Sequence, residues 1–85
     1  MRLEHDPEAN AVYVYLRELP YAYGRELDDS RNIDYAAGNE PIGIELLNVS
    51  LGVELTDLPE REAVGQVLRD NDITILAQPA AVREP

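Results

Sequence analysis

Cysteine, tryptophan, phenylalanine and lysine are all absent from this chain of 85 residues, and histidine occurs once. Without cysteine the chain can form neither disulfides nor zinc sites built on thiolates. One histidine is too few for a histidine-rich metal site within a single chain. A chain of this length buries only about 60–65% of the surface that its unfolded form exposes, and such small cores are commonly reinforced by a disulfide, a metal or a partner. The composition therefore favours an oligomer, with a homodimer as its simplest form, or a bound partner.

Positive charge is also scarce. Seven arginines stand against 17 aspartates and glutamates, which gives a net charge of −10. Such a chain repels the phosphate backbone of nucleic acids, and no cluster of arginines forms a stripe that would offset the repulsion. We therefore expect no direct binding of nucleic acid and a preference for a small basic protein partner. The alternative is that the acidity only keeps the protein soluble.

Long apolar segments are missing as well. No run approaches the roughly 20 apolar residues that a membrane-spanning helix needs. The first ten residues, MRLEHDPEAN, lack the apolar segment of a signal peptide. The sequence therefore predicts a cytoplasmic protein that does not associate with membranes.

The first half of the chain alternates with a period of two residues, which is typical of β-strands. In VYVYLRE, the side chains of Val12, Val14 and Leu16 fall on one face, and those of Tyr13 and Tyr15 fall on the other. The segments DPEAN, LPYA, DDSRN and AAGNEP carry turn residues at short intervals. Short loops favour antiparallel neighbours in chain order. The pattern predicts an antiparallel β-meander of about five strands.

The period changes to that of a helix in DLPEREAVGQVLRDN. Asp57 followed by Glu60 matches a capping box, which predicts that the helix begins there. Val64, Val67 and Leu68 form one apolar stripe along it.

The segment ITIL, which follows the helix, reads as a short final strand. A helix packed on one face of an antiparallel sheet gives an α+β fold. We expect a single domain over residues 1–77 and a flexible tail over residues 78–85. The helix should cover the Val12 and Val14 face, which leaves the opposite face of the sheet without a cover.

Side chains suited to catalysis are few. A general base needs a nucleophile or a substrate beside it. His5 is the only imidazole, and the two serines, Ser30 and Ser50, lie in a turn and at a strand end without a recognisable motif. We therefore expect a non-enzymatic protein without a cofactor.

Four acidic residues around the third turn are candidate ligands for a divalent cation or a small polar molecule. The EF-hand pattern fails here, because Ile33 occupies the position of the required glycine and Asn39 that of the final glutamate. A solvated turn is the alternative interpretation. The four candidates are Glu26, Asp28, Asp29 and Asp34.

Tyrosine is the one abundant aromatic residue, with five copies. Its large apolar ring and polar hydroxyl make it common at protein interfaces. Tyr13, Tyr15 and Tyr35 are the candidates for a partner-binding surface on the uncovered face of the sheet. The alternative is that these tyrosines only shield a half-exposed sheet from water.

Three segments in this order, HDPEANAVYVYL, YAYGRELDD and NIDYAAGNEPIGIELLNVS, resemble domain-of-unknown-function family 2283, whose members are small bacterial and archaeal proteins. The resemblance covers residues 1 to about 50. It implies no known activity, catalytic residue or cofactor. Members often stand beside genes for small toxins, which implies an antitoxin-like or companion role. The chain departs from the family pattern at His5, where an aromatic residue is usual, and at AAGN, where an acidic Asp/Gly turn is usual.

The sequence thus supports one main hypothesis and one alternative. The main hypothesis is a protein-interaction module that homo-oligomerises or binds a basic protein, with an antitoxin-like role as its most specific form. The alternative is a protein that binds a divalent cation or a small polar ligand at its acidic residues.

Overall fold

A computed structural model describes residues 1–76 and contains five strands, one 3-10 turn and one α-helix. This architecture confirms the predicted α+β class with an antiparallel sheet and a C-terminal helix. The predicted tail, residues 78–85, lies outside the described residues. The elements are β1 (Arg2–Asp6), β2 (Ala11–Tyr15), β3 (Tyr23–Asp28), β4 (Arg31–Ala36), β5 (Glu40–Leu47), the 3-10 turn (Val49–Leu51) and α1 (Arg61–Asp70).

The order of the strands in the sheet is β1-β2-β5-β4-β3, and every neighbouring pair is antiparallel. The sheet departs at one place from the prediction that consecutive strands are neighbours, because residues 16–22 cross from β2 to the far edge instead of forming a hairpin. Strand β5 takes the centre, where both of its edges are paired. The crossover is tied down by Arg17, whose guanidinium donates to the Pro41 carbonyl and pairs with the Glu60 carboxylate.

The core lies between one face of the sheet and the helix. Apolar side chains at alternate positions of β2 and β5 point to this face, and the helix contributes the stripe that contains Val64 and Leu68. Gly65 lets the helix pack closely, since a Cβ at this position would lie 3.0 Å from the Leu55 Cδ1 atom. The buried cluster comprises Val12, Val14, Ile44, Leu46, Val49, Val53, Leu58, Val64, Leu68 and Ile73.

The helix begins later than the capping-box pattern predicts. Asp57 and Glu60 have φ angles of 67° and 52°, so both lie in left-handed turns, and the helix begins at Arg61 with no side-chain cap. Between these turns Leu58 is buried in the core, and its burial explains why the chain bends here instead of forming a first helical turn. The helix is ten residues long, and no helix in residues 1–76 is long and apolar enough to cross a membrane.

The predicted final strand is reduced to a single bridge. Ile75 pairs in parallel with Val53, where the Val53 amide donates to the Thr74 carbonyl and the Leu76 amide donates to the Val53 carbonyl. The segment therefore does not join the sheet. It lies beside the residues that follow the 3-10 turn, near the end of β5.

Candidate functional site

The face of the sheet opposite the core carries a continuous group of polar side chains, which we call the open face. The strand register fixes its members, because residues paired across an antiparallel sheet point to the same side. Four of its carboxylates, those of Glu4, Asp6, Glu26 and Glu45, belong to exposed residues. The open face comprises Arg2, Glu4, Asp6, Ala11, Tyr13, Tyr15, Gly24, Glu26, Asn32, Asp34, Gly43, Glu45 and Leu47.

Tyr13 lies across the centre of the open face, and Gly43 makes room for its ring. A Cβ at Gly43 would lie 2.8 Å from the Tyr13 Cε2 atom and closer still to its Cζ and Oη atoms. The Tyr13 hydroxyl donates to the Asp34 carboxylate (2.7 Å), whose second oxygen accepts from the Asn32 amide (3.0 Å). Burial of the ring, together with the bond to Asp34, raises the pKa of Tyr13. The phenol therefore stays neutral and acts as a fixed donor.

Tyr15 continues this arrangement towards β1. Its ring meets that of Tyr13 edge to face at a centroid distance of 4.7 Å, and the Arg2 guanidinium lies 3.7 Å from the centre of the Tyr15 ring. The Tyr15 hydroxyl donates to the Glu4 carboxylate (2.9 Å), which raises the pKa of Tyr15. Two of the predicted partner-binding tyrosines thus lie side by side on the open face.

Tyr35 does not share this surface. It lies two positions from the buried Ile33 on β4, which places it on the core side of the sheet. There its ring stacks on that of Tyr23 with a centroid distance of 5.0 Å, and the Arg25 guanidinium donates to its hydroxyl. The expectation that all three tyrosines occupy one uncovered face is wrong for Tyr35.

Among the acidic candidates, Asp28 is held by an arginine within its own turn. Arg31 Nε donates to one Asp28 oxygen (3.0 Å), and the Ser30 amide donates to the other (3.1 Å). The bond from Arg31 is the largest cause that lowers the pKa of Asp28. This carboxylate is therefore ionised and already paired.

The four predicted acidic ligands do not converge on one point. Glu26 and Asp34 lie on the open face, where Asp34 accepts from Tyr13. Asp28 is paired with Arg31, and Asp29 lies at the tip of the turn between β3 and β4. Within residues 1–76 no three His, Cys, Asp or Glu side chains are grouped in a way that could hold a metal ion.

A cleft of about 450 Å³ lies beside the turn between β3 and β4, and the sequence did not indicate it. Its apolar lining includes three exposed leucines, Leu47, Leu51 and Leu76, and we call it the leucine cleft. The one available sequence signal is Leu47, an apolar residue at a position of β5 where the alternation calls for a polar one. Leu51 and Leu76 come to lie near Leu47 only because of the path that the chain takes after β5.

The pKa of Tyr13 leads to a prediction for alkaline solution. Because this pKa is raised in the folded protein above its ordinary value of 10.0, the stability that it contributes is complete below pH 10 and is lost as the pH rises through the folded pKa. We expect the free energy of unfolding to fall above pH 10 and to fall less steeply in Tyr13→Phe. Urea unfolding between pH 9 and 11.5 measures this, and parallel curves for the two proteins would contradict it.

Comparison with known proteins gives one match. A family model described as "Protein of unknown function (DUF2283)" matches residues 2–50, which is more than half of the chain and includes all five strands and the whole open face. This match confirms the resemblance noted from the sequence. No curated protein and no solved structure matches the chain. The chain belongs to the DUF2283 family.

Proposed function

We propose that this protein is a non-enzymatic interaction module that binds a basic segment of another protein on its open face. The observation that carries the proposal is the charge of this face, where five carboxylates stand against one guanidinium, that of Arg2. A face of this charge attracts a cationic partner over a distance and makes association fast and sensitive to salt. The five carboxylates are those of Glu4, Asp6, Glu26, Asp34 and Glu45.

The tyrosines suit the same purpose. Tyr13 is fixed by Gly43 beneath it and by its bond to Asp34, and Tyr15 is fixed by Glu4 and Arg2. Side chains that are already ordered lose little conformational freedom on binding. Their rings offer apolar area and a π-face to the stems and cationic groups of arginine and lysine. The open face therefore combines negative charge with a rigid aromatic surface.

A basic partner is favoured over a second copy of the chain. A symmetric dimer built on the open face would set one acidic surface against another, and like charges that meet in an interface oppose association. A cationic surface relieves this repulsion instead. Covering the basic surface of a nuclease-type toxin is the antitoxin-like form of this function.

A pair of charge reversals tests the proposal. The probe is the peptide acetyl-Arg-Arg-Leu-Arg-Arg-amide, with binding measured by calorimetry at low salt. We expect Glu45→Arg to weaken binding by about tenfold, because a like charge replaces an attractive one on the open face. Glu62→Arg makes the same change in net charge on the helix, on the other side of the sheet, and should weaken binding less than threefold.

Equal weakening by the two variants would show that the peptide senses only the net charge, and this would contradict the proposal. So would the absence of binding by the unaltered protein. A dimer that Glu45→Arg dissociates, seen by light scattering, would assign the open face to a second copy and would also contradict it.

A further inference from the structure

We infer that the leucine cleft is the docking pocket for an apolar side chain, such as leucine, carried within the basic segment that the open face binds. The inference rests on the proposed function and adds a specificity to it. An acidic surface alone accepts any cationic segment, whereas a pocket beside it selects those with an apolar residue at the right place.

The walls of the leucine cleft are tied together by hydrogen bonds. The turn between β3 and β4 is held to the end of β5, since the Leu47 amide donates to the Ser30 carbonyl (2.8 Å). Arg31 holds the same turn to the opposite wall, where its guanidinium donates to the carbonyls of Glu54 (2.9 Å) and Thr56. A cleft built in this way exists before any partner arrives, which lowers the cost of filling it.

Three exposed leucines line the cleft. Leu51 is 75% exposed, Leu76 is 45% exposed and Leu47 is 38% exposed. A single exposed leucine is ordinary, but three around one concave surface mark a place where another molecule gains by covering them. Leu76 is also seated by Gly52, where a Cβ would lie 2.6 Å from its Cδ2 atom.

The charges at the rim of the cleft indicate what surrounds the apolar side chain of the partner. Asp28, Asp29 and Glu54 border the cleft, and all three are exposed. Among residues 1–76 the one bordering cation is Arg31, whose side chain is only 9% exposed and is committed to Asp28 and to the carbonyls of the opposite wall. The rim therefore complements a cationic segment and repels a second copy of this acidic chain.

The leucine cleft and the open face are continuous. A depression of about 110 Å³ lies between them, bordered by Glu26 and Glu45 of the open face and by Leu47 of the cleft. Asp28 and Asp29 border both the depression and the cleft. One extended basic segment can thus place its cations along the carboxylates while an apolar side chain enters the cleft.

Two peptides of equal charge test this inference. Acetyl-Arg-Arg-Leu-Arg-Arg-amide and acetyl-Arg-Arg-Ser-Arg-Arg-amide differ only in the central side chain. The contribution of charge is therefore the same for both, and the ratio of their affinities measures the contribution of the pocket. We expect the leucine peptide to bind the unaltered protein about tenfold more tightly, since burial of one leucine side chain contributes about this factor or more. Leu51→Ser should reduce the ratio to about twofold or less. Tyr23→Ser, which removes an exposed ring from the opposite face of the sheet, should keep it.

Equal binding of the two peptides by the unaltered protein would overturn the inference and leave the proposed function standing. A preference that survives Leu51→Ser would also overturn it. If neither peptide binds, the proposed function fails, and this inference fails with it. A dimer in light scattering that Leu51→Ser converts to a monomer would show that a second copy fills the cleft, and this too would overturn the inference.

Discussion

Replacement of Arg31 with alanine should lower the free energy of unfolding by about 2–3 kcal/mol, because several charge-assisted hydrogen bonds are lost at one largely buried group. The guanidinium connects the turn between β3 and β4, through Asp28, to the carbonyls of Glu54 and Thr56. Glu54 and Thr56 belong to the segment between the 3-10 turn and the helix, which Arg17 also reaches through its pair with Glu60. Without Arg31 that segment should open first.

Arg31→Lys is the matched control. A lysine keeps the charge but lacks the planar fork that contacts a carboxylate and carbonyls together, so it should recover less than half of the loss. Urea unfolding measures both variants, and amide hydrogen exchange at Val53 and Leu76 should accelerate more than in the strands. A substitution at an ordinary surface residue usually changes the free energy of unfolding by less than about 0.5 kcal/mol. A loss that small in Arg31→Ala would show that the hydrogen bonds of Arg31 have no structural role.

Gly43→Ala should destabilise the protein by about 2–3 kcal/mol, although alanine is normally at least as good as glycine in a strand. The added Cβ would occupy the place of the Tyr13 ring. Displacement of the ring adds steric strain and breaks the hydrogen bond from Tyr13 to Asp34, a bond to a charged acceptor. The same variant should weaken binding to the basic peptide, because the aromatic surface of the open face is lost.

A double-mutant cycle separates this steric cause from any general intolerance of alanine in β5. In a Tyr13→Ala background there is no ring to displace, so Gly43→Ala should cost less than about 0.5 kcal/mol. Urea unfolding of the two single variants and the double variant gives the coupling directly. Additive losses would show that Gly43 is needed for a reason other than Tyr13.

Alternation of apolar and polar residues was sufficient to predict the strands, because one face of the sheet is buried and the other is not. The same alternation would have placed Tyr35 correctly, since it stands two positions from Ile33 on the same strand. Alternation could not predict the crossover after β2. The order of strands depends on which strand gains most in buried apolar surface when it lies at the centre of the sheet. Burial of Leu58 similarly overrode the capping signal at Asp57.

The candidate site was predicted in part. Tyr13 and Tyr15 follow from the strand pattern, whereas the contact between Tyr13 and Gly43 joins neighbouring strands that are far apart in the sequence. The leucine cleft depends on the path of the chain from Leu47 to Leu76, which no local pattern encodes. Charge was informative in both cases, since an excess of acidic residues leaves the open face and the cleft rim negative.

The central claim is that a basic segment binds on the open face, and the tyrosines themselves can report it. Proton NMR of the aromatic rings during titration with acetyl-Arg-Arg-Leu-Arg-Arg-amide measures this directly, since tyrosine and one histidine supply every aromatic signal of the protein. We expect the ring signals of Tyr13 and Tyr15 to shift as the peptide binds, and those of Tyr23 and Tyr35, on the other face, to stay in place. Shifts confined to Tyr23 and Tyr35, or no shift at any tyrosine, would contradict the claim.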